Sequence, residues 1–568
     1  MRRMKGAAGL LTALLLAFQL SAQTFALANE DNGIKVVPVN FTHNGYSYEI
    51  EGVAKSTDGD YQIKSPARLA ARKLPSTYDP RSSGEITTVK DQASTGACWA
   101  FSALACAEQD LIKKGLENPS TEFSVPALVL SSNSGTATGK DDFSSGGNWL
   151  FAASALANGQ GLCYEDYEPF LESGTGNMIV SENKKSVSEY RLNYVMELSS
   201  TTQVKRKIME LGAVSASYFA GNGYMNHNNT AYYDPDASKN TIINHSVTVV
   251  GWDDNYSKDN FRYKPANNGA WLVKGSWGAD QDNDGFYWVS YDEAEFGQFC
   301  CYDFEESCDN TYHYSKMTGY VVNASNDGSV YGANVFTAKA DEKLDKAGFM
   351  YVGKTGSADY TLSVYTNVSD SDPIGVLETQ ISDSVSANGF YTVDFPEDIL
   401  LEEGEKYSIS VKFSGDSGRG YLLAESDRTS KAQSGQSYVS LNGKYWSDVG
   451  ADKTDSIGSL FIYAYTDDTA KPDKSSLETT LAKYGTLAGC EREANNARMV
   501  LADENASKND ISNAQKLLIS AAEEQDEALV ITTEAQWESF AKRVSSGESF
   551  EGKLVTLEAD LDFDGKTI

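Results

Sequence analysis

The sequence predicts an α+β domain followed by a β-sandwich, a small helical hairpin and the start of a β-rich repeat. Two observations support this prediction. Helical runs at 98–114, 148–158 and 202–211 precede strand-like runs between residues 247 and 291, an order typical of an α+β domain with two halves and a cleft between them. Between residues 310 and 467, short β-rich stretches alternate with Gly, Asp and Ser turns at the spacing of a β-sandwich.

The 568 residues are too many for one hydrophobic core, and changes in composition divide them into six segments. After Pro472, apolar residues recur at heptad-like spacing in two stretches, which predicts the helical hairpin. The last segment stops in mid-pattern, and we expect it to be truncated. We expect a signal peptide at 1–28, a short pro-segment or extra strand at 29–74, the α+β domain at 75–305, the β-sandwich at 310–467, the helical hairpin at 473–528 and the start of a β-rich module at 530–568.

The N-terminus and the net charge indicate an exported protein. A basic stretch at residues 2–5 precedes an apolar run at 7–20, and Ala26-Leu27-Ala28 offers a small-x-small cleavage site, the pattern of a secretory signal peptide. Because no second apolar run of membrane length follows, we expect no transmembrane segment after signal cleavage. The formal net charge of −32 repels phosphate backbones, which disfavours a nucleic-acid partner. We therefore expect a secreted protein that is extracellular or associated with the cell envelope.

Cys98 is the first candidate for chemistry. Gln92 lies six positions before it in a stretch of small residues, and an apolar helical pattern runs from Phe101 until Gly115. This pattern predicts a tight loop that delivers Cys98 to the first turn of a helix, where backbone N–H groups and the helix dipole stabilise a thiolate. The alternative interpretation is a small buried core cysteine.

A nucleophilic cysteine needs a base beside the thiol and donors for an oxyanion. Among the histidines, His245 stands at the mouth of an apolar strand at 247–250, a position that suits a side chain facing a cleft. His227 lies in a Gly/Asn-rich loop and His313 in a linker, and we expect both to be solvated.

These candidates stand in stretches that resemble the papain family of cysteine peptidases. The segment 89–102 resembles the family's nucleophile region, and 244–247 and 271–278 resemble its two later motifs in the same chain order. The resemblance covers about residues 75–305 and implies a two-lobed peptidase that forms an acyl-thioester with its substrate. Residues 310–467 resemble the lectin-like β-sandwich that follows such domains in secreted bacterial and archaeal peptidases. The helical segment resembles repeats of bacterial surface proteins.

The resemblance implies a role for each catalytic candidate. Cys98 is then the nucleophile of a secreted cysteine endopeptidase, and His245 is its general base and later its general acid. Gln92 and the Cys98 backbone N–H form the oxyanion hole, because an amide donates a hydrogen bond without competing for the proton. We expect no cofactor and no metal.

The resemblance also implies substrate contacts. Gly146 and Gly147 let the substrate backbone approach, since they carry no Cβ atom. Trp277 covers the imidazole of His245 and belongs to the same binding region. Glu108, on the apolar face of the predicted Cys98 helix, is expected to be a paired structural acid. The partners implied are protein or peptide substrates, with contact to cell-wall glycans through the β-sandwich.

Two departures from the family pattern leave a second interpretation open. The residue that orients the histidine in the family is an asparagine, and Gly275 stands at that position here. Thr95 and Ser144 replace two cysteines that many relatives join in a disulfide. The joint loss of both cysteines indicates a dispensed bridge, whereas Gly275 has no side chain to hold His245. The alternative function is therefore a surface binding or adhesion protein whose peptidase fold is catalytically impaired by Gly275. Gly275→Asn is expected to raise turnover, and an unchanged rate would show that another residue already orients His245.

Two further patterns, a calcium-loop-like run of acidic residues and the remaining cysteines, each allow two interpretations. Asp280, Asp282 and Asp284 imitate the start of a calcium loop, but position twelve is Tyr291 where a bidentate glutamate is required. Six cysteines besides Cys98 permit 15 disulfide pairings, and one local bridge within the cluster 300–308 competes with unpaired thiols. The six are Cys106, Cys163, Cys300, Cys301, Cys308 and Cys490.

Overall fold

The structure is a computed structural model, and it describes most of the chain. The expected signal peptide at 1–28, Ser144 and the acidic residues Asp280 and Asp282 lie outside the described residues. The described residues are 35–43, 46–54, 74–132, 146–159, 162–165, 170, 189–221, 223–236, 243–279, 284–315, 320–325, 328–369, 371–416, 418–426, 432–451, 457–470, 473–487, 489–503, 506, 508–527, 529–531, 537, 540 and 555–557.

The helices of the α+β part follow the predicted pattern. They are α1 (Cys98–Lys114), α2 (Val125–Ser132), α3 (Trp149–Ala157) and α4 (Thr201–Leu211). Helix α1 ends where Gly115 adopts a left-handed conformation with φ of 73°, which a residue without Cβ adopts at no cost. The Asn148 side chain caps the start of α3, and Ser200 and Gln203 form a capping box on α4. The three predicted helical runs are confirmed.

The strands of this part form a hairpin and one half of a long sheet. The strands are β1 (Lys35–His43), β2 (Tyr46–Ala54), β3 (Thr77–Tyr78), β4 (Tyr190–Leu198), β5 (Val214–Tyr218), β6 (Ala231–Tyr232), β7 (His245–Asp253), β8 (Ala270–Lys274), β9 (Phe286–Ser290), β10 (Gly297–Glu306) and β11 (Asn310–Tyr312). Strands β1 and β2 pair with each other as an antiparallel hairpin. The order β4-β10-β5-β7-β8-β9-β6 places β7 in the middle of this half, and helix α1 packs against it.

The predicted β-sandwich is confirmed. Its strands are β12 (Tyr320–Ser325), β13 (Ser329–Thr337), β14 (Glu342–Tyr351), β15 (Ala358–Thr366), β16 (Val376–Val385), β17 (Gly389–Leu401), β18 (Lys406–Ser414), β19 (Gly420–Ser426), β20 (Ser437–Ser440), β21 (Ser447–Asp448), β22 (Ile457–Leu460) and β23 (Ile462–Asp468). One sheet has the order β16-β15-β18-β13-β20-β21, and β11-β23-β14-β17 faces it. Buried side chains such as Phe349, Leu362, Ile409 and Phe413 fill the space between them.

The sandwich is joined to the α+β part by a strand pairing that the sequence did not predict. Gly389 and Phe390 at the start of β17 pair with Met196 and Val195 of β4, so one sheet of 12 strands runs through both parts. Their hydrophobic cores also merge, because Phe390 and other sandwich residues pack in the same cluster as the residues of α1 and α3. The two parts are therefore one compact unit.

The C-terminal part differs from the predicted helical hairpin. It contains three described helices: α5 (Ser475–Tyr484), α6 (Glu491–Ala502) and α7 (Lys508–Glu527). The first predicted helix is interrupted because Gly485 ends α5, donating its N–H to the Leu481 carbonyl. Two short strands, β24 (Leu529–Ile531) and β25 (Val555–Leu557), pair in parallel after the helices. The described residues of 183–189 and 470–568 form a second compact unit. Searched over the described residues, the helices include no apolar span long enough to cross a membrane.

Candidate active site

Cys98 is the first residue of helix α1, as predicted. Its side chain is buried, with 6% of the residue exposed. The helix is fixed against strand β7 because Ser102 donates a hydrogen bond of 2.7 Å to the carbonyl of Val247. Ser246 lies beside the Cys98 thiol, because its backbone and side chain are among the groups that lower the pKa of that thiol. The structure therefore brings Cys98 against the residue that directly follows His245.

The environment of the Cys98 thiol differs from the expectation of a stabilised thiolate. Burial raises the pKa of the thiol above its usual value. Hydrogen bonds from Ser246, from Trp99 and from the Cys98 backbone itself lower the pKa, but burial outweighs them. The helix N-terminus alone is therefore insufficient to lower the pKa of the thiol. A nucleophilic role would need a neighbouring group that accepts the thiol proton.

His245 opens strand β7 and is held between two aromatic rings. It is buried, with 2% exposed. The indole of Trp277 stacks on the imidazole with ring centroids 4.3 Å apart and an angle of 8° between the planes. Tyr218 approaches from the neighbouring strand edge-on, with centroids 5.9 Å apart. The side-chain oxygen of Asn244 accepts a hydrogen bond of 2.7 Å from the Ala220 N–H, which fixes the entrance of the strand.

Gln92 is buried and held at both ends of its amide. Its Nε2 donates to the Thr95 carbonyl at 2.8 Å, and its Oε1 accepts from the Ser276 hydroxyl at 2.6 Å. The backbone is fixed as well, because the Gln92 N–H donates to the Ser276 carbonyl at 2.7 Å. Since Nε2 carries two N–H groups and the Thr95 contact uses one, the geometry provides a rigid amide that can donate again.

The predicted substrate residues are placed differently from one another. At Gly147 a Cβ atom would lie 2.4 Å from Cε2 of Trp99, so the indole of Trp99 lies directly against this backbone. The missing Cβ is therefore required for packing against Trp99. Gly146 is half-buried beside it. Trp277 is half-buried and covers His245, as expected.

Gly275 lies in the turn between β8 and β9. Its N–H donates to the Gly285 carbonyl at 3.0 Å. A Cβ atom at this position would be 3.1 Å from the Gly285 oxygen and 3.4 Å from Cε1 of Tyr287. A Cβ atom at Gly275 would therefore be tight against the Gly285 carbonyl and in ordinary van der Waals contact with the Tyr287 ring.

Glu108 is a structural acid, as predicted. It accepts hydrogen bonds from the Thr87 hydroxyl at 2.6 Å and from the Phe123 N–H at 3.1 Å. Lys90 and Lys274 lie 3.3 Å and 3.8 Å from its carboxylate. Burial opposes ionisation, but the two lysines and the hydrogen bonds outweigh it and leave the pKa of Glu108 below its ordinary value.

The remaining histidines and cysteines give one confirmation and two corrections. His227 lies exposed in a turn, as predicted. His313 is not solvated: its ring stacks on Tyr463 and its Nδ1 contacts the Ser315 carbonyl at 3.1 Å, and burial lowers its pKa to about 4. The local disulfide expected within 300–308 is not present. All seven cysteines are buried thiols, and Cys308 contacts the Asn310 carbonyl. Over the described residues, no group of three acidic, His or Cys side chains is arranged to hold a metal.

Several residues that shape the site were not assigned to it from the sequence, and Thr95 was named only as the replacement for a cysteine. Thr95 and Ser276 clamp Gln92, Ser246 contacts the Cys98 thiol, and Tyr218 and Tyr287 border His245 and Gly275. Thr95 and Ser276 stand inside the motifs already recognised, so their position was a usable signal. The two tyrosines lie on separate strands, and only the register of the sheet brings them together.

Comparisons with known proteins agree with this arrangement. Residues 74–325 match the family model described as papain family cysteine protease, and residues 311–466 match the lectin like domain. Cathepsin S of Bos taurus is 29% identical over 218 residues, which are 38% of this chain and 60% of that protein. Cathepsin K of Mus musculus is 24% identical over 216 residues, covering 38% and 59%. The chain thus matches about three fifths of the length of these cathepsins.

Two solved structures are similar over both parts of the chain. One is the clostridial cysteine protease Cwp84 after propeptide cleavage, with 28% identity and a TM-score of 0.60, covering 69% of this chain and 99% of that one. The other contains the cysteine protease and lectin-like domains of Cwp84, a surface layer associated protein of Clostridium difficile, with 26% identity, a TM-score of 0.60 and coverage of 72% and 91%.

The fold and the comparisons together identify a cysteine peptidase domain. The chain carries a papain-family cysteine protease domain followed by a lectin-like domain.

Proposed function

We propose that this chain is a secreted cysteine endopeptidase that uses Cys98 as the nucleophile. His245 takes the thiol proton, and the sulfur attacks the carbonyl carbon of the substrate peptide bond. The developing oxyanion is stabilised by the Cys98 backbone N–H and by the second N–H of the Gln92 amide. When the C–N bond breaks, His245 returns its proton to the leaving amine, and an acyl-thioester remains on Cys98.

Water completes the reaction in the second half. His245 removes a proton from water as the oxygen attacks the thioester carbonyl. The C–S bond then breaks, the acid product leaves, and the sulfur regains a proton from His245. Each step uses the same base and the same two oxyanion donors, so no cofactor is needed.

The observation that carries the proposal is the packing of helix α1, which begins at Cys98, against strand β7, which begins at His245. The hydrogen bond from the Ser102 hydroxyl to the Val247 carbonyl at 2.7 Å fixes this packing. Because burial raises the pKa of the Cys98 thiol, the proposed mechanism needs His245 to accept the proton. The alternative of an impaired binding protein is not favoured, since the matching family model and the similar solved structures are cysteine proteases. The Gln92 amide is also held at both ends, as an oxyanion donor would need to be.

We further propose that Gly146, Gly147 and Trp277 line the substrate path. Helix α3 begins two residues after Gly147, and its buried face anchors the glycine segment. Trp277 shields the stacked imidazole from water on one face. A cell-envelope location is supported by the surface-layer association stated for Cwp84 and by the expected signal peptide at 1–28.

Contact with cell-wall glycans would be made through the β-sandwich. Many aromatic residues of this part lie in the core, and Tyr438, Tyr463 and Tyr465 are fully buried. Tyr445 is different, with 81% exposed on a turn whose N–H groups are bonded to Asn442. A flat, exposed ring of this kind can pack on the apolar face of a sugar. In a polysaccharide pull-down, Tyr445→Ala should lower retention while Leu400→Ala, also on the exposed sandwich surface, should not.

Covalent labelling tests the peptidase proposal. A peptide vinyl-sulfone probe should label the folded protein at neutral pH, and peptide mapping should find the adduct on Cys98. Cys98→Ala should abolish labelling, whereas Cys106→Ala, which removes another buried thiol of the same helix, should leave the adduct in place. Absence of labelling in the folded wild-type protein would contradict the proposal.

A further inference from the structure

Tyr287 lies beside Gly275, the position where the family has its orienting asparagine. Gly275 would place a Cβ atom 3.4 Å from Cε1 of Tyr287, which is ordinary van der Waals contact with the tyrosine ring. Tyr287 is buried, with 4% exposed, and its strand β9 pairs with β8 next to Gly275. The ring and the Gly285 carbonyl are thus the two groups that the first atom of a side chain at 275 would meet.

Tyr287 is linked to His245 through one further residue. Its hydroxyl is hydrogen-bonded to the hydroxyl of Tyr218 at 2.9 Å. Tyr218 and His245 are direct partners in the register of β5 and β7, so their side chains lie on the same face of the sheet. The Tyr218 ring meets the imidazole edge-on, with centroids 5.9 Å apart and an angle of 63° between the planes.

The imidazole is therefore confined on two sides. Trp277 covers one face at 4.3 Å, and the edge-on contact with Tyr218 limits rotation of the ring. Tyr218 itself is fixed by Phe296 and Tyr232, whose rings pack against it with centroids 5.5 Å and 5.0 Å away. The hydroxyl bond to Tyr287 is the remaining constraint on its outer end.

We propose that Tyr218 and Tyr287 are positioning residues for His245, performing the orienting task at a site where Gly275 supplies no side chain. This inference rests on the proposed peptidase function. The pair acts through ring packing and one hydroxyl bond, and neither tyrosine contacts the reacting atoms.

The pair is suited to this task because it stays uncharged. Burial raises the pKa of Tyr287, and burial together with the neighbouring Tyr287 and Tyr232 raises the pKa of Tyr218 well above its ordinary value. Both phenols therefore remain protonated over the range in which a cysteine peptidase works. The hydroxyl bond between them persists across that range.

Removal of the hydroxyl bond is the first test. Tyr287→Phe keeps the ring beside Gly275 and deletes only the bond to Tyr218, so kcat for a peptide substrate should fall about 3- to 10-fold, the effect of one hydrogen bond, with KM changed less than two-fold. The alkylation rate of Cys98 by iodoacetamide should fall in parallel. Tyr391→Phe is the matched control, because it removes a hydroxyl bond to the Ala387 carbonyl in the sandwich. It should leave both rates unchanged.

A pair of substitutions gives the sharper test, because the effect of Gly275→Asn on kcat should differ between the wild-type and the Tyr287→Val background. Restoring the family asparagine by Gly275→Asn should not raise kcat, since the new side chain meets the Tyr287 ring and the Gly285 carbonyl. Combined with Tyr287→Val, which opens that space and suits a strand, Gly275→Asn should raise kcat above that of Tyr287→Val alone.

The outcomes separate this inference from the proposed function. A rise in kcat with Gly275→Asn alone, or an unchanged kcat with Tyr287→Phe, would overturn the positioning role while Cys98 labelling still supports a peptidase. A wild-type protein that neither labels nor cleaves peptides would instead overturn the proposed function. Tyr287→Phe preserves volume, and its melting temperature beside that of Tyr391→Phe identifies any general loss of stability.

Discussion

The joining of the two sheets leads to a prediction about a single glycine. In Gly389→Ala, the new Cβ atom would lie 2.1 Å from the Val195 carbonyl oxygen, whereas an unstrained carbon–oxygen contact is about 3.3 Å or longer. The start of β17 must therefore move by about 1 Å. That movement pulls Asn388 away from Glu197, whose carboxylate is shared between Asn388 at 3.1 Å and Trp149 at 3.0 Å. Overpacking of about 1–3 kcal/mol and one or two weakened hydrogen bonds of about 1 kcal/mol each give a loss of about 2–5 kcal/mol.

Chemical unfolding and peptide hydrolysis check this prediction together. The urea midpoint should fall clearly. Hydrolysis should weaken because Trp149 begins helix α3 two residues after Gly147, one of the proposed substrate-binding glycines. Gly297→Ala is the matched control, since a Cβ atom there meets nothing within 4 Å. It should change the free energy of unfolding by less than about 1 kcal/mol. Equal midpoints for the two variants would refute the view that the β17–β4 junction couples the sandwich to the peptidase site.

Two other substitutions follow from the described contacts. Ser276→Ala removes the donor to Oε1 of Gln92 and lets the amide rotate. We therefore expect kcat to fall about 10-fold with KM nearly unchanged. A change in KM with kcat unaltered would contradict this role. Asp110 is fully buried, and burial raises its pKa from 3.8 to about 7. The folded chain keeps that proton to higher pH than the unfolded chain, so the free energy of unfolding should fall between about pH 4 and pH 7, by at most about 4 kcal/mol. Asp110→Asn should flatten this fall in urea titrations at pH 5 and pH 8, and an unchanged slope would refute the shift.

Local signals explain which parts of the fold could be predicted from the sequence. Gly115 ends helix α1, and the pair Ser200 and Gln203 begins helix α4. Both signals act within one turn of the backbone. The alternation of the sandwich strands is equally local. By contrast, the break at Gly485 was not predicted. Only a few residues separate helices α5 and α6, and the apolar spacing in the sequence continues across them.

Contacts between distant segments explain what could not be predicted. The β17–β4 pairing joins residues about 190 positions apart, and Gly389 carries no motif that announces it. The same holds for Tyr218 and Tyr287, which meet only through the register of β5, β7, β8 and β9. Gln92, Cys98 and His245 were named in advance because each stands in a recognisable stretch, although their catalytic roles stay predictions.

The pKa of Cys98 shows where the efficiency of such a site must come from. The sequence placed the thiol at a helix N-terminus and predicted a stabilised thiolate, but burial overrides the helix. A buried thiol with a raised pKa ionises only by passing its proton to a base in a fixed orientation. The decisive property is then how firmly His245 is held. In the proposed mechanism Gly275 cannot hold His245, so turnover depends on the stacked Trp277 and on the Tyr218–Tyr287 pair.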